Sequence, residues 1–99
     1  MLEFNIQPIL GGWFNYPKEV EHDYSIFQPQ NYPWRVIEGH DVCYLEIGGC
    51  EVSFSDEMHG VHVVFESGDI SEELAIKIVE SISEHLAKVT GQTTVVYQC

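Results

Sequence analysis

The stretch "VCYLEIGGCEVSFS", Val42 to Ser55, holds two short alternating runs joined by Gly48 and Gly49. Two glycines in a two-residue loop suit a type I′ turn, because both central positions of that turn need φ > 0. The reversal fixes a register. Ile47 faces Cys50, Leu45 faces Val52 and Cys43 faces Phe54, so one side of the hairpin is entirely apolar. The same register sets Glu46 directly across from Glu51 on the other side, where two like charges cost a few tenths of a kcal/mol.

The pattern extends in both directions. Downstream, "VHVVFE" follows Gly60, and a four-residue loop from Asp56 to His59 sets Phe54 beside Val61, Val52 beside Val63 and Cys50 beside Phe65. A one-residue slip would send every one of these side chains to the opposite face. Upstream, "WRVIE" before the Gly39-His40-Asp41 turn reads as another strand, with either Trp34 and Val36 or Arg35 and Ile37 inward. "LEFNI" reads as a short strand with Leu2, Phe4 and Ile6 on one face. The residues between, about 8–33, carry prolines and aromatic residues together with Glu19, Glu21 and Asp23, and are expected to be loop with at most one edge strand. Their aromatic side chains need something to pack against.

A helix follows the meander. Asp69 is placed as its N-cap, with Glu72 completing a capping box. Leu74, Ala75, Ile78, Val79, Ile82, Leu86 and Val89 form one stripe at helical period. Glu73–Lys77 and Glu84–Lys88 are i,i+4 pairs, and Gly91 supplies the stop. "TTVVYQ" then reads as a strand that rejoins the sheet. The expected fold is a single α+β domain over 1–99: an antiparallel meander of about five strands with one long C-terminal helix on one face and a final strand, its sheet-and-helix core lying in 34–99.

Composition narrows the function. Sixteen acidic residues against four basic ones give a formal charge of −12, which repels nucleic acid and anionic lipid. No apolar run reaches the roughly 18 residues of a spanning helix, and the opening "MLEFNIQPIL" lacks the basic region and cleavage site of a secretory signal. Cys43, Cys50 and Cys99, an odd number without CxxC spacing, suit reduced thiols in the cytoplasm.

No motif for catalysis or metal binding emerges. Cys43 and Cys50 fall on the core side of the register, and His59 and His62 beside Asp56 and Glu57 form only a loose cluster without HExxH or CxxC. His85 flanks the helix stripe, and the Gly48-Gly49 pair is turn chemistry with no helix behind it to cradle phosphate. The expectation is a non-enzyme without cofactor or metal. The outer sheet face carries Tyr44, Glu46, Glu51, Ser53, His62, Val64 and Glu66, with Asp56 and Glu57 at one end. Such a face favours a cationic partner surface, and Trp13 and Tyr16 are of the residue types that anchor interfaces.

From Ile47 to Gln92 the sequence "IGGCEVSFSDEMHGVHVVFESGDISEELAIKIVESISEHLAKVTGQ" resembles the C-terminal halves of small bacterial immunity proteins of contact-dependent and polymorphic toxin systems, in which a strand-strand-helix stretch ending in "TGQ" recurs. The likeness is to a class. It implies a cytoplasmic inhibitor that covers the active site of a cognate toxin domain, often a basic nuclease. Glu46, Glu51, Asp56, Glu57 and Glu66 would then supply charge, and Tyr44, Trp13 and Tyr16 would be partner-binding anchors. The other reading is a non-catalytic structural or adaptor domain that self-associates through its aromatic N-terminal segment, the acid only preventing aggregation.

Overall fold

Alternation and turn chemistry together produce the sheet seen in the computed structural model, which describes residues 1–21 and 23–99. The described residues form β1 (Leu2–Pro8), β2 (Trp34–Val36), β3 (Cys43–Ile47), β4 (Cys50–Glu57), β5 (Gly60–Ser67), α1 (Glu72–Thr90) and β6 (Thr94–Gln98). The six strands make one antiparallel sheet in the order β2-β3-β4-β5-β1-β6. The fold is α+β as expected, one antiparallel sheet with one helix packed on it and a final C-terminal strand, and β1 slots between β5 and β6. That insertion pairs residues far apart in sequence, which local alternation does not encode.

The first hairpin has the expected register: Ile47 pairs with Cys50, Leu45 with Val52 and Cys43 with Phe54, while Glu46 stands opposite Glu51. Gly48 and Gly49 both have positive φ, at 56° and 86°. β2 resolves its own ambiguity. Trp34 pairs with Ile47 and Val36 with Leu45, so these two face inward and Arg35 joins Glu46 on the outer face.

The second hairpin differs from expectation. Its loop is Met58-His59 alone, because the strands run on through Asp56↔Val61 and Glu57↔Gly60. Phe54 consequently pairs with Val63 rather than Val61, and Val52 with Phe65 rather than Val63. Longer strands gain ladder bonds, and the positive φ that the reversal requires falls on Gly60, at 113°. The register moved by two residues, so every side chain kept its face. A bulge then sets Glu51 opposite Ser67, and Cys50 closes against the backbone turn at Gly68.

One side of the sheet buries Phe4, Ile6, Leu45, Ile47, Val52, Phe54, Val61, Val63 and Phe65. Two layers cover it. α1 contributes Ala75, Ile78, Val79, Ile82, Ser83 and Leu86, with Val89 partly buried beside them. The segment between β1 and β2 contributes Phe14, Ile26 and Phe27, and Phe27 stacks flat on Phe54 at 4.8 Å between ring centroids. The core therefore does not begin at residue 34. Two single-turn 3₁₀ helices, Lys18–Val20 and Tyr24–Phe27, stand where loop or an edge strand was expected. Asp23 caps the second by accepting from the Ser25 N–H at 3.0 Å.

Two details of α1 also depart from the sequence reading. The N-cap is Ser71, whose hydroxyl accepts from the Leu74 N–H at 3.1 Å, and not Asp69. Both residues are good caps; the extended backbone needed falls at Ser71 (φ −74°, ψ 151°), after the turn at Gly68. Leu74 lies at the N3 position and is 41% exposed, outside the buried stripe. At the other end Gly91 adopts the left-handed conformation and donates its N–H to Ala87 O at 2.9 Å, as the stop required.

Gly60 fixes how closely β1 approaches β5. A Cβ there would lie 2.1 Å from Ile6 O, at a φ that L side chains rarely adopt. Gly60→Ala is expected to cost about 2–3 kcal/mol in urea unfolding. Gly48→Ala, with open space around it, should cost only the about 1–2 kcal/mol of a left-handed backbone.

Candidate functional site

The outer sheet face is built by alternation along β1, β3, β4 and β5. The register aligns Glu3 with Val64, Asn5 with His62, Ser53 with Tyr44 and with Val64, and Glu46 with Glu51. Five of the residues expected at the site, Tyr44, Glu46, Glu51, Glu57 and Glu66, share this face. Glu3, which the isolated reading of "LEFNI" did not assign, joins them once β1 lies beside β5.

The carboxylates are not equivalent. Glu46 forms a two-pronged ion pair with Arg35, Nη2–Oε2 2.9 Å and Nε–Oε1 3.3 Å. An exposed pair of this kind contributes about 0.2–1 kcal/mol, the same size as the repulsion of Glu46 by Glu51. Glu46 is therefore not a free charge: with Arg35 turned outward on β2, that carboxylate has a cation beside it. His62 lies between two others, its Nε2 2.9 Å from Glu3 Oε1 and its Nδ1 3.8 Å from Glu57 Oε2.

Glu51 and Glu66 are held differently. Glu66 Oε2 accepts from Ser53 Oγ at 2.8 Å and from the Tyr44 hydroxyl at 3.3 Å. Glu51 Oε1 accepts from Ser67 Oγ at 3.1 Å. The bulge makes this possible by turning both Glu66 and Ser67 toward the neighbouring strand's outer face. Partial burial and the nearby Glu66 and Glu51 charges push the Tyr44 phenol above its ordinary value, so it remains a donor. The His40 ring stacks on Tyr44 at 3.9 Å and steadies it. Neutral hydroxyls thus orient both carboxylates without discharging them.

Asp56, Tyr16 and Trp13 lie elsewhere. Asp56 occupies an inward-parity position at the end of β4, where its Oδ1 accepts from the Tyr16 hydroxyl at 3.1 Å. The pair sits in a cleft of about 290 Å³ between the 3₁₀ segment and the sheet, lined also by Glu21, Asp23, Tyr24 and Asp41. Asp56 is on a strand, not in a loop beside Glu57, because the hairpin is tighter than the sequence suggested. Desolvation raises the Asp56 carboxyl above its ordinary value, partly countered by the Tyr16 hydrogen bond, and the same burial with the Asp56 charge raises the Tyr16 phenol. Trp13 is 54% exposed, next to buried Phe14.

Other reactive groups are occupied by structure. Cys43 and Cys50 are buried free thiols, and burial pushes Cys43 up to about 12, which keeps it protonated at neutral pH. His85 packs against the side-chain amides of Gln28 and Gln30, and burial followed by Lys88 lowers its value. Among the described residues no group of three or more His, Cys, Asp or Glu side chains is placed to hold a metal ion, and no helix is long and apolar enough to cross a membrane.

Fold and site together define a class: a small α+β domain that covers one face of its sheet and leaves a charged face open. No protein-family model, curated protein or solved structure matches the chain.

The raised Asp56 value carries a sign. A carboxyl that binds its proton more tightly when folded adds stability at low pH, and that contribution is lost as pH climbs from the ordinary value of 3.8 through the folded one. Asp56→Asn keeps an acceptor for Tyr16 and removes the titration. Urea unfolding against pH should show the wild type losing stability relative to Asp56→Asn across that window, the two curves running parallel above it.

Proposed function

We propose that this chain is an inhibitor of the immunity-protein kind, acting in the cytoplasm of the producing cell, and that it neutralises a cognate toxin domain by offering its outer sheet face to that domain's basic surface. The observation that carries this reading is the pair Glu51 and Glu66. Both are fixed by hydroxyl donors, and among the described residues neither is matched to a cation. A carboxylate already oriented loses little side-chain entropy on meeting an arginine or lysine. An uncompensated one speeds the encounter and selects a positive surface.

The face that supports the proposal is narrower than composition suggested. Its centre is Glu51 and Glu66 with Tyr44 beside them, flanked by Glu57 and Glu3; Glu46 with Arg35 forms a polar rim. The aromatic segment carries less of the argument, because Phe14, Ile26 and Phe27 are packed inside the molecule. That takes these three apolar side chains out of any surface for self-association through this segment, and leaves Trp13 and Tyr24 exposed.

The test uses the toxin domain encoded by the adjacent reading frame, purified as an isolated domain. Association with wild-type protein should slow steeply as salt rises. Glu51→Lys combined with Glu66→Lys should cut the association rate by roughly tenfold or more at low salt and flatten that dependence. An association rate and salt slope untouched by the double substitution would remove this face from the interface.

A further inference from the structure

The sheet has two free edges, β2 and β6. β2 is three residues long and carries Arg35, both features that discourage another strand from pairing. β6, "TVVYQ", is five residues long and, alone among the six strands, has no charged side chain. It contains no proline and no bulge. In a chain with 16 acidic residues, an uncharged β-branched edge stands out.

The backbone of β6 has a definite polarity. Ile9 N–H donates to Thr93 O at 2.8 Å, and Cys99 N–H donates to Glu3 O at 2.9 Å. Hydrogen-bonded pairs alternate along an antiparallel ladder, so Val95 and Tyr97 also bond to β1. The N–H and C=O groups of Thr94, Val96 and Gln98 therefore point away from the sheet. Ser83 Oγ donates to Thr94 Oγ1 at 2.6 Å and ties the strand to α1, so the edge is held ready.

We propose that two copies of this chain join their sheets through β6, antiparallel, about a two-fold axis at Val96. In that register Thr94 faces the partner's Gln98 and Val96 faces the partner's Val96, so the open backbone groups satisfy one another. On the outer face Val95 comes beside the partner's Tyr97, twice over, a β-branched–aromatic pairing that favours cross-strand association; Tyr97 is 53% exposed in the single chain. Charge selects the occupant. A two-fold edge sets its charges close to their own images, which requires a neutral strand in a molecule of net charge −12, whereas a basic partner would be better met by an acidic edge. The contact is small beside the roughly 1,000 Å² of a durable interface, so the dimer is concentration-dependent.

Sedimentation velocity from about 1 µM to about 1 mM should show the mass climbing from 11.3 kDa toward twice that value. Salt should strengthen the dimer by screening like charges, the reverse of its effect on a basic partner. Val96→Pro removes an N–H that has no partner among the described residues and should weaken dimerisation at least tenfold, while Val96→Ala, which keeps the N–H, should still dimerise. On the unaltered protein, amide exchange at Thr94, Val96 and Gln98 should slow with concentration, and Val95 and Tyr97 should not change. A mass fixed at 11.3 kDa throughout, exchange at Val96 independent of concentration, or a proline variant that dimerises like the wild type would each overturn the proposal; if that variant does not fold, the exchange result decides.

Discussion

Parity in the pleat is the constraint on which this molecule depends. Successive strand residues point to opposite faces, so a reversal either keeps apolar groups together or scatters them. Both tight hairpins here conserve the assignment. Gly48-Gly49 does so with two positive φ values, and Met58-His59 does so by passing the strained position to Gly60. The second reversal lies two residues from the register its loop suggested, an even step that leaves each core side chain on its expected face.

A continuous apolar face then demands cover, and one helix is too narrow for six strands. α1 lies against β1 and β6, and the segment with Phe14, Ile26 and Phe27 completes the layer over Phe54. The same residues that look like a sticky surface in isolation are therefore the second half of a lid. What remains open is the opposite face. Its carboxylates are arranged by three different means: a guanidinium at Glu46, an imidazole between Glu3 and Glu57, and hydroxyls at Glu51 and Glu66. The hydroxyls orient Glu51 and Glu66 while leaving their negative charge in place.

Local features were legible because local physics sets them. Gly48-Gly49, the alternation on β3 to β5, the Gly91 stop and the i,i+4 apolar stripe all depend on neighbours within a few residues, and each was read correctly, Leu74 in the stripe excepted. The features that were missed are settled at a distance. Ser71 displaced Asp69 as the cap because the path out of Gly68 decides which residue is extended. Arg35 reached Glu46 because Trp34 and Val36 won the inward positions of a strand whose alternation is ambiguous. Asp56 moved from loop to strand once the turn tightened, which parted it from Glu57 and gave it to Tyr16. For the site, sequence identified the charged face and most of its members; which of them stay uncompensated is a property of cross-strand partners.

The insertion of β1 between β5 and β6 bears on how the protein is made. Phe4 pairs with Val63 and Gln98, partners 59 and 94 positions later in the chain. β1 can be enclosed only once both β5 and β6 have been synthesised, whereas the β3–β4–β5 meander closes through neighbours in sequence. The pairings within that meander are local, while those of β1 close long stretches of chain and carry the larger loop-closure cost. Nascent chains of this protein therefore pass through an interval in which Leu2, Phe4 and Ile6 are exposed to whatever else the ribosome's surroundings contain.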